Sequence, residues 1–180
     1  STPERWKEHP SIKALGDKFK LGKADDPKVR ESVEQLARVP ARLIKMMVSH
    51  LGLEGVSVGE GAFTDFEAGR PFKGVRPRGW SEGKTWDDVP GAYDSTKKHV
   101  VIGTRGNHGS ESLALHEFGH AVGHLMGWDT NDEWSQIHKE VFNDLSPYFQ
   151  QEGEAGPQEM LAETFAATLM DRNEAVRNFG

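Results

Sequence analysis

Two histidines four residues apart, with a glutamate beside the first, stand in the stretch SESLALHEFGHAVGHLMGW: His116-Glu117-Phe118-Gly119-His120. On an α-helix, residues four apart lie about 40° from each other around the axis, so both imidazoles can reach one metal ion. Zinc takes neutral histidine nitrogens at roughly 2.0–2.1 Å, and a catalytic zinc keeps one position open for water. A carboxylate beside that water can accept its proton, which makes Glu117 the candidate general base. A pair of satisfied core histidines is the plainer alternative; the glutamate in the required place and the glycines nearby favour metal chemistry.

The element that must carry this pattern is a helix. Ser110, with Glu111 in the first turn, reads as its start, and the run from Leu113 to Met126 is apolar around most of the wheel. Leu115, Phe118, Val122, Leu125 and Met126 spread over the far side, while His116, Glu117, His120 and His124 share one quadrant. A buried helix therefore keeps one polar stripe.

Two histidines leave a catalytic zinc one protein ligand short. The pattern H-E-x-x-H-x-x-G-x-x-H is excluded, because Gly123 is present but Met126 stands where the last histidine belongs. His124 is turned about 80° from His116, which suits support of a ligand or a structural role better than coordination. His138 is a lesser metal candidate and His50 reads as structural. The remaining strong source is the final helix, which begins at Gln158 and continues as EMLAETFAATLMD. Glu159 and Glu163 lie four apart on one face, so one can bind zinc while the other hydrogen-bonds a ligating histidine. Gly119 and Gly123 each cost about 1 kcal/mol relative to alanine within a helix, and they lie within about 60° of the histidines. Ala162 and Ala166 are placed similarly beside Glu159, so the two backbones are expected to approach closely there.

A chain of 180 residues suffices for a single domain, 1–180, burying about 70% of its unfolded surface. It has no cysteine, which excludes disulfides, thiolate catalysis and cysteine-rich zinc sites. No apolar run approaches the roughly 18 residues of a membrane span. The chain begins at Ser1 with no basic-then-apolar leader, the expectation being a mature or excised form, and the lack of cysteine is compatible with export. Residues 1–110 carry 19 Lys+Arg against 15 Asp+Glu, whereas residues 111–180 carry 3 against 13. The acidic half is either a field that favours a divalent cation and basic substrates, or a solvated helical surface. Either way it argues against nucleic acid as a partner.

Earlier in the chain, the first ten residues are expected to be loose and 1–24 only weakly organised, although Ile12, Leu15 and Phe19 have the spacing of a short docking helix. Asp26-Pro27 starts a helix that Pro40 stops, and a second runs through Leu43 to Leu51 with Gly52 as its C-terminal cap. Residues 55–59 and 99–103 read as strands. Between them, residues 69–93 are too long and too rich in glycine and proline for a simple connection. Trp80 and Trp86 in that loop either contact substrate or pin the loop to the body, Pro90-Gly91 predicts a tight turn, and Arg70, Lys73, Arg76 and Arg78 form a solvated basic run. Beyond the histidine helix, residues 131–145 form an amphipathic helix with Trp134, Ile137, Val141, Phe142 and Leu145 on its apolar side, and 146–157 is a loop.

HEFGH followed by E-x-x-A-E-x-F-A (Glu159 to Ala166), together with GW…GKTWDDVPGAYD at residues 79–94, resembles the gluzincins related to the catalytic domain of anthrax lethal factor and to bacterial Pro-Pro endopeptidases. The likeness covers roughly Val39 to Asp171. It implies His116, His120 and Glu159 as zinc ligands, Glu117 as base and Glu163 as the carboxylate behind a ligand. It also implies a tyrosine ahead of the third ligand that stabilises the oxyanion. Tyr148 is the candidate, eleven residues before Glu159, which requires a longer loop through Glu152-Gly153-Glu154; the alternative for Tyr148 is packing under that loop.

The expected fold is an α+β zincin-like domain: N-terminal helices, a small sheet with an edge strand free to pair with an extended peptide, and a helical zinc-bearing half. The expected function is zinc-dependent hydrolysis of internal peptide bonds in a protein or peptide substrate, with a preference for proline that follows from the resemblance alone. A secreted bacterial protein, monomeric, is expected on the same ground. Two other readings stay open: the catalytic piece of a larger toxin acting on a host protein, and a zinc-containing binding module without turnover.

Overall fold

The computed structural model describes residues 5–171. Six α-helices and a four-stranded sheet alternate along them in an α+β arrangement. Contrary to the expected loose start, residues 5–8 form a 3-10 turn and Trp6 packs edge-on against Phe19; the first four residues lie outside the described range. Helix α1, Pro10–Leu15, is shorter than its spacing suggested. Phe19 opens strand β1, Phe19–Leu21, instead of completing a helix, because Gly16 at φ 58 ends the helix before it.

Helix α2, Pro27–Leu36, starts as predicted: the Asp26 carboxylate accepts the backbone N–H groups of Lys28 and Val29, with proline at the first helical position. Helix α3, Ala41–Val48, ends at Ser49, not at Gly52. The ammonium of Lys18 donates to the carbonyls of Val48 at 2.6 Å and Leu51 at 2.9 Å, satisfying groups that helix α3 leaves open. Gly52 serves another purpose: its N–H donates to Lys98 O, and a Cβ there would lie 2.0 Å from Lys97 O, so only glycine lets this loop close on the sheet.

The sheet order is β1-β2-β4-β3, with β2 Val56–Val58, β3 Gly91–Asp94 and β4 His99–Ile102. β1, β2 and β4 run parallel, while β3 pairs antiparallel with β4 and forms the edge on the site side. Gly91 therefore belongs to a strand and not to the tight turn predicted at Pro90-Gly91; its Cβ would strike Val101 O at 2.5 Å. Val56, Val58, Val100 and Ile102 face the helices in the main core, whereas Ser57 and His99 share the other face and bond Oγ to Nε2 at 2.8 Å.

Helix α4, Leu113–Met126, lies on β3 and β4 and packs most extensively against α6, Ala155–Met170. Its start is two residues later than Ser110 suggested: the Ser112 hydroxyl caps Leu115 N–H. That hydroxyl also donates to Gln35 at the end of α2 at 2.7 Å, and Arg38 just beyond donates to the carbonyls of Leu169 and Met170, which end α6. One segment thus fixes the start of α4 and the end of α6. Helix α5, Asp132–Val141, departs from its expected apolar packing: Ile137 and Phe142 are exposed, and of its residues only His138 is buried.

Candidate metal centre and active-site cleft

Helix α4 presents His116, Glu117 and His120 at the mouth of a cleft, and α6 crosses it with Glu159 and Glu163. Close contact between backbones makes this possible. A Cβ on Gly119 would lie 3.0 Å from Ala162 O and 3.1 Å from Ala162 Cα, so glycine against alanine sets the approach, as the small-residue pattern predicted for this pair. Gly123 instead faces Leu161 and Asp129, and Ala166 sits in the main core.

Three donors converge on one oxygen. Glu159 Oε2 lies 3.0 Å from His116 Nε2, 3.2 Å from His120 Nε2 and 2.7 Å from the hydroxyl of Tyr148. One ligand atom each from His116, His120 and Glu159 falls within 4.8 Å of the others, the spread that a single ion between them requires. On its other side His116 Nδ1 meets Glu163 Oε2 at 2.8 Å, and the second oxygen of Glu163 accepts the N–H of Glu111. A carboxylate that only accepts fixes the proton on Nδ1. The Nε2 lone pair of a neutral His116 would then face the Glu159 carboxylate, which is stable only with a cation between them. Without metal that cation is a proton: burial opposes charging His116, yet Glu159 and Glu163 together hold its pKa up to about 10. Glu159, despite its own burial, is held well below the usual carboxylate range by His116, His120 and Tyr148. The donor set fits a divalent metal ion.

Glu117 is buried beside this cluster. Burial pushes its carboxyl up, while His120 and His116, and more weakly the backbone N–H of Tyr93 on the edge strand, pull it down. Tyr93, which the sequence offered only as the end of a loop, lines the same chamber as the candidate base. Its hydroxyl also pairs with His124 Nδ1 at 2.8 Å. His124 is exposed, and it joins α4 to β3 without contacting a ligating histidine. His138 is not a ligand: its Nε2 donates to Phe149 O at 2.7 Å and so holds the 3-10 turn Pro147–Gln150 that carries Tyr148. Burial and then the Glu159 carboxylate push the Tyr148 hydroxyl far above its ordinary value, keeping it a proton donor.

The cleft has two chambers, of about 430 Å³ and 600 Å³, that share Trp80, Val89, Gly91, His116, Glu117 and Tyr148. The smaller is mainly apolar, with Leu113 and Phe149 in its walls; the larger runs past His120 and His124 to Asp129 and Glu154. Trp80 is exposed over both. Trp86 reaches only the larger and is held by Phe63 and Phe72, each ring 5.6 Å away, which is the pinning alternative for that residue. Sequence reasoning missed Asp129 altogether; its only local signal is an aspartate two residues past the left-handed Gly127 that caps α4.

The model of the family described as "Anthrax toxin lethal factor, N- and C-terminal domain" matches residues 19–178. A Pro-Pro endopeptidase of Clostridioides difficile strain 630 is 31% identical over 169 residues, covering 86% of this chain and 71% of that protein. A Pro-Pro endopeptidase of Paenibacillus alvei is 31% identical over 151 residues, 81% of this chain and 67% of that protein. The solved structure of the P. alvei Pro-Pro endopeptidase PPEP-2 superposes with a TM-score of 0.66 at 26% identity, covering 87% of this chain and 86% of that one. The zincin-like α+β fold is thus shared, and the chain belongs to the anthrax toxin lethal factor family, alongside its Pro-Pro endopeptidases, as a metalloendopeptidase.

Proposed function

We propose that the protein is a zinc endopeptidase that hydrolyses internal bonds of extended peptides with proline flanking the cut. The convergence of His116, His120 and Tyr148 on one oxygen of Glu159, with Glu117 beside it in an open cleft, carries this reading. His116, His120 and Glu159 hold the metal; zinc, when bound, supplies Lewis acidity toward the scissile carbonyl and the attacking water. Glu117 takes the proton of that water and passes it to the leaving nitrogen. Tyr148 moves its hydrogen bond from Glu159 to the oxyanion that develops on the substrate. Glu163 keeps the Nδ1 proton on His116, and with it the orientation of that ring.

Edge strand β3 offers backbone groups to an extended chain, and the apolar chamber beneath Trp80 suits proline rings. Both curated relatives are bacterial and bear the name Pro-Pro endopeptidase, which supports the proline preference. No helix among the described residues is long and apolar enough to cross a membrane. The toxin-piece and silent-module readings draw no support from these relatives. The test is incubation of zinc-loaded protein and its Glu117→Ala variant with a proline-containing peptide library, read by mass spectrometry. Cuts next to proline by the intact protein alone are expected; identical cutting by both proteins, or none by the zinc-loaded one, would overturn the reading.

A further inference from the structure

Asp129 stands at the end of the cleft farthest in composition from the apolar chamber. It is only 7% exposed, yet it lines the larger chamber. Its backbone N–H donates to Gly123 O, which fixes it just past the end of α4. Among the described residues no other side chain donates a hydrogen bond to its carboxylate and no lysine or arginine pairs with it. The favourable charges that reach it come from His124, whose Nδ1 is engaged by Tyr93, and from His120, which is engaged by Glu159; Glu154 on the same chamber repels it. No lysine or arginine lines either chamber. The Asp129 carboxylate faces the larger chamber with no lysine or arginine beside it, so a cationic side chain entering that chamber gains a charge partner there. A second metal ion does not fit, since Asp129 and Glu154 join no cluster of three ligating groups among the described residues.

We propose that Asp129, with Glu154 at the mouth, is a subsite for a lysine or arginine side chain of the peptide substrate, on the opposite side of the scissile bond from the residue that fills the apolar chamber. This rests on the endopeptidase reading above and names the substrate class within it. Glu117 and Tyr148 sit between the two chambers, so a peptide lying across them is read by charge on one flank and by shape on the other. A long cationic side chain can lay its stem along the chamber wall beside Tyr93 and bring its charge to the buried end.

The test uses proline-containing peptides with lysine, norleucine or glutamate scanned through the three positions on each side of the cut. Binding is measured by fluorescence anisotropy to zinc-loaded Glu117→Ala protein, with and without Asp129→Asn, and cleavage is measured with intact protein. The expected result is about tenfold tighter binding of the lysine peptide than of the glutamate peptide at positions on one flank only. Asp129→Asn should reduce that ratio to about one, and Glu154→Gln, an exposed change that leaves the core untouched, should reduce it about twofold. Equal binding of lysine and glutamate peptides at every position, or a lysine preference that survives Asp129→Asn, would overturn the subsite. Lysine-selective binding by Glu117→Ala with no cleavage by intact protein would instead sink the endopeptidase reading and leave the subsite standing.

Discussion

The chemistry of the site depends on a few single atoms. In the proposed mechanism Glu117 takes the proton-transfer role, so Glu117→Ala is expected to lower kcat by about 10²–10⁴-fold while leaving bound zinc at one per chain; loss of metal in that variant would show the residue to be structural instead. Tyr148 donates to Glu159 Oε2 and is raised far from ionisation. Tyr148→Phe should lower kcat by about 10²-fold with little change in KM, and an unchanged kcat would return Tyr148 to the packing role. The metal-facing pairs were legible because a spacing of four on a helix is strict: whatever the tertiary context, His116 with His120 and Glu159 with Glu163 must share a face. Tyr148 was legible only through resemblance, since a loop residue has no periodicity to betray it. Asp129 and Tyr93 were not legible at all, because each works through a position that only the folded chain creates.

Helices α4 and α6 pack as a pair, and their separation would set the geometry of the proposed metal site. Gly119 has no room for a side chain against Ala162, so Gly119→Leu should push α6 outward, reduce zinc occupancy and destabilise the fold by about 1–3 kcal/mol, measured by metal analysis and urea unfolding. Full occupancy with unchanged stability would show that the glycine is incidental. The long elements could be anticipated: α2 from its Asp-Pro start, α4 and α6 from sustained periodicity. The short ones could not. β1 has three residues and shares the spacing of Ile12 and Leu15, and β3 reads Gly-Ala-Tyr-Asp, with too few side chains to show alternation. Helix α5 has an apolar pattern that is covered only in part, with Trp134 and Val141 half-buried and Ile137 exposed, and it holds the Tyr148 turn through His138 and the start of α6 through the Trp134 indole.

At the scale of the molecule, metal, protons and stability are linked. In metal-free protein His116 has its pKa raised to about 10, above the unfolded value near 6.5. Its contribution to stability is therefore fully present below about pH 6.5 and is lost as pH rises toward 10. Zinc must displace that proton, so its apparent affinity, measured by competition with a chelator, should rise about tenfold per pH unit across that window and level off above it. A pH-independent affinity would mean that His116 is not a ligand. Zinc at 100 times its dissociation constant should add about 2.7 kcal/mol to the stability of the folded chain. In the proposed enzyme His116, His120 and Glu159 hold the one ion that makes this chain a peptidase, which is tested by titrating chelator-stripped protein with zinc while cleavage of a proline-containing peptide is followed. Activity should rise linearly to one equivalent and stop, with Glu117→Ala taking up the same equivalent in silence and Glu159→Ala failing to retain it. Cleavage by stripped protein, or a Glu159→Ala variant that saturates at one equivalent with full activity, would rule out this metal site as the source of the activity.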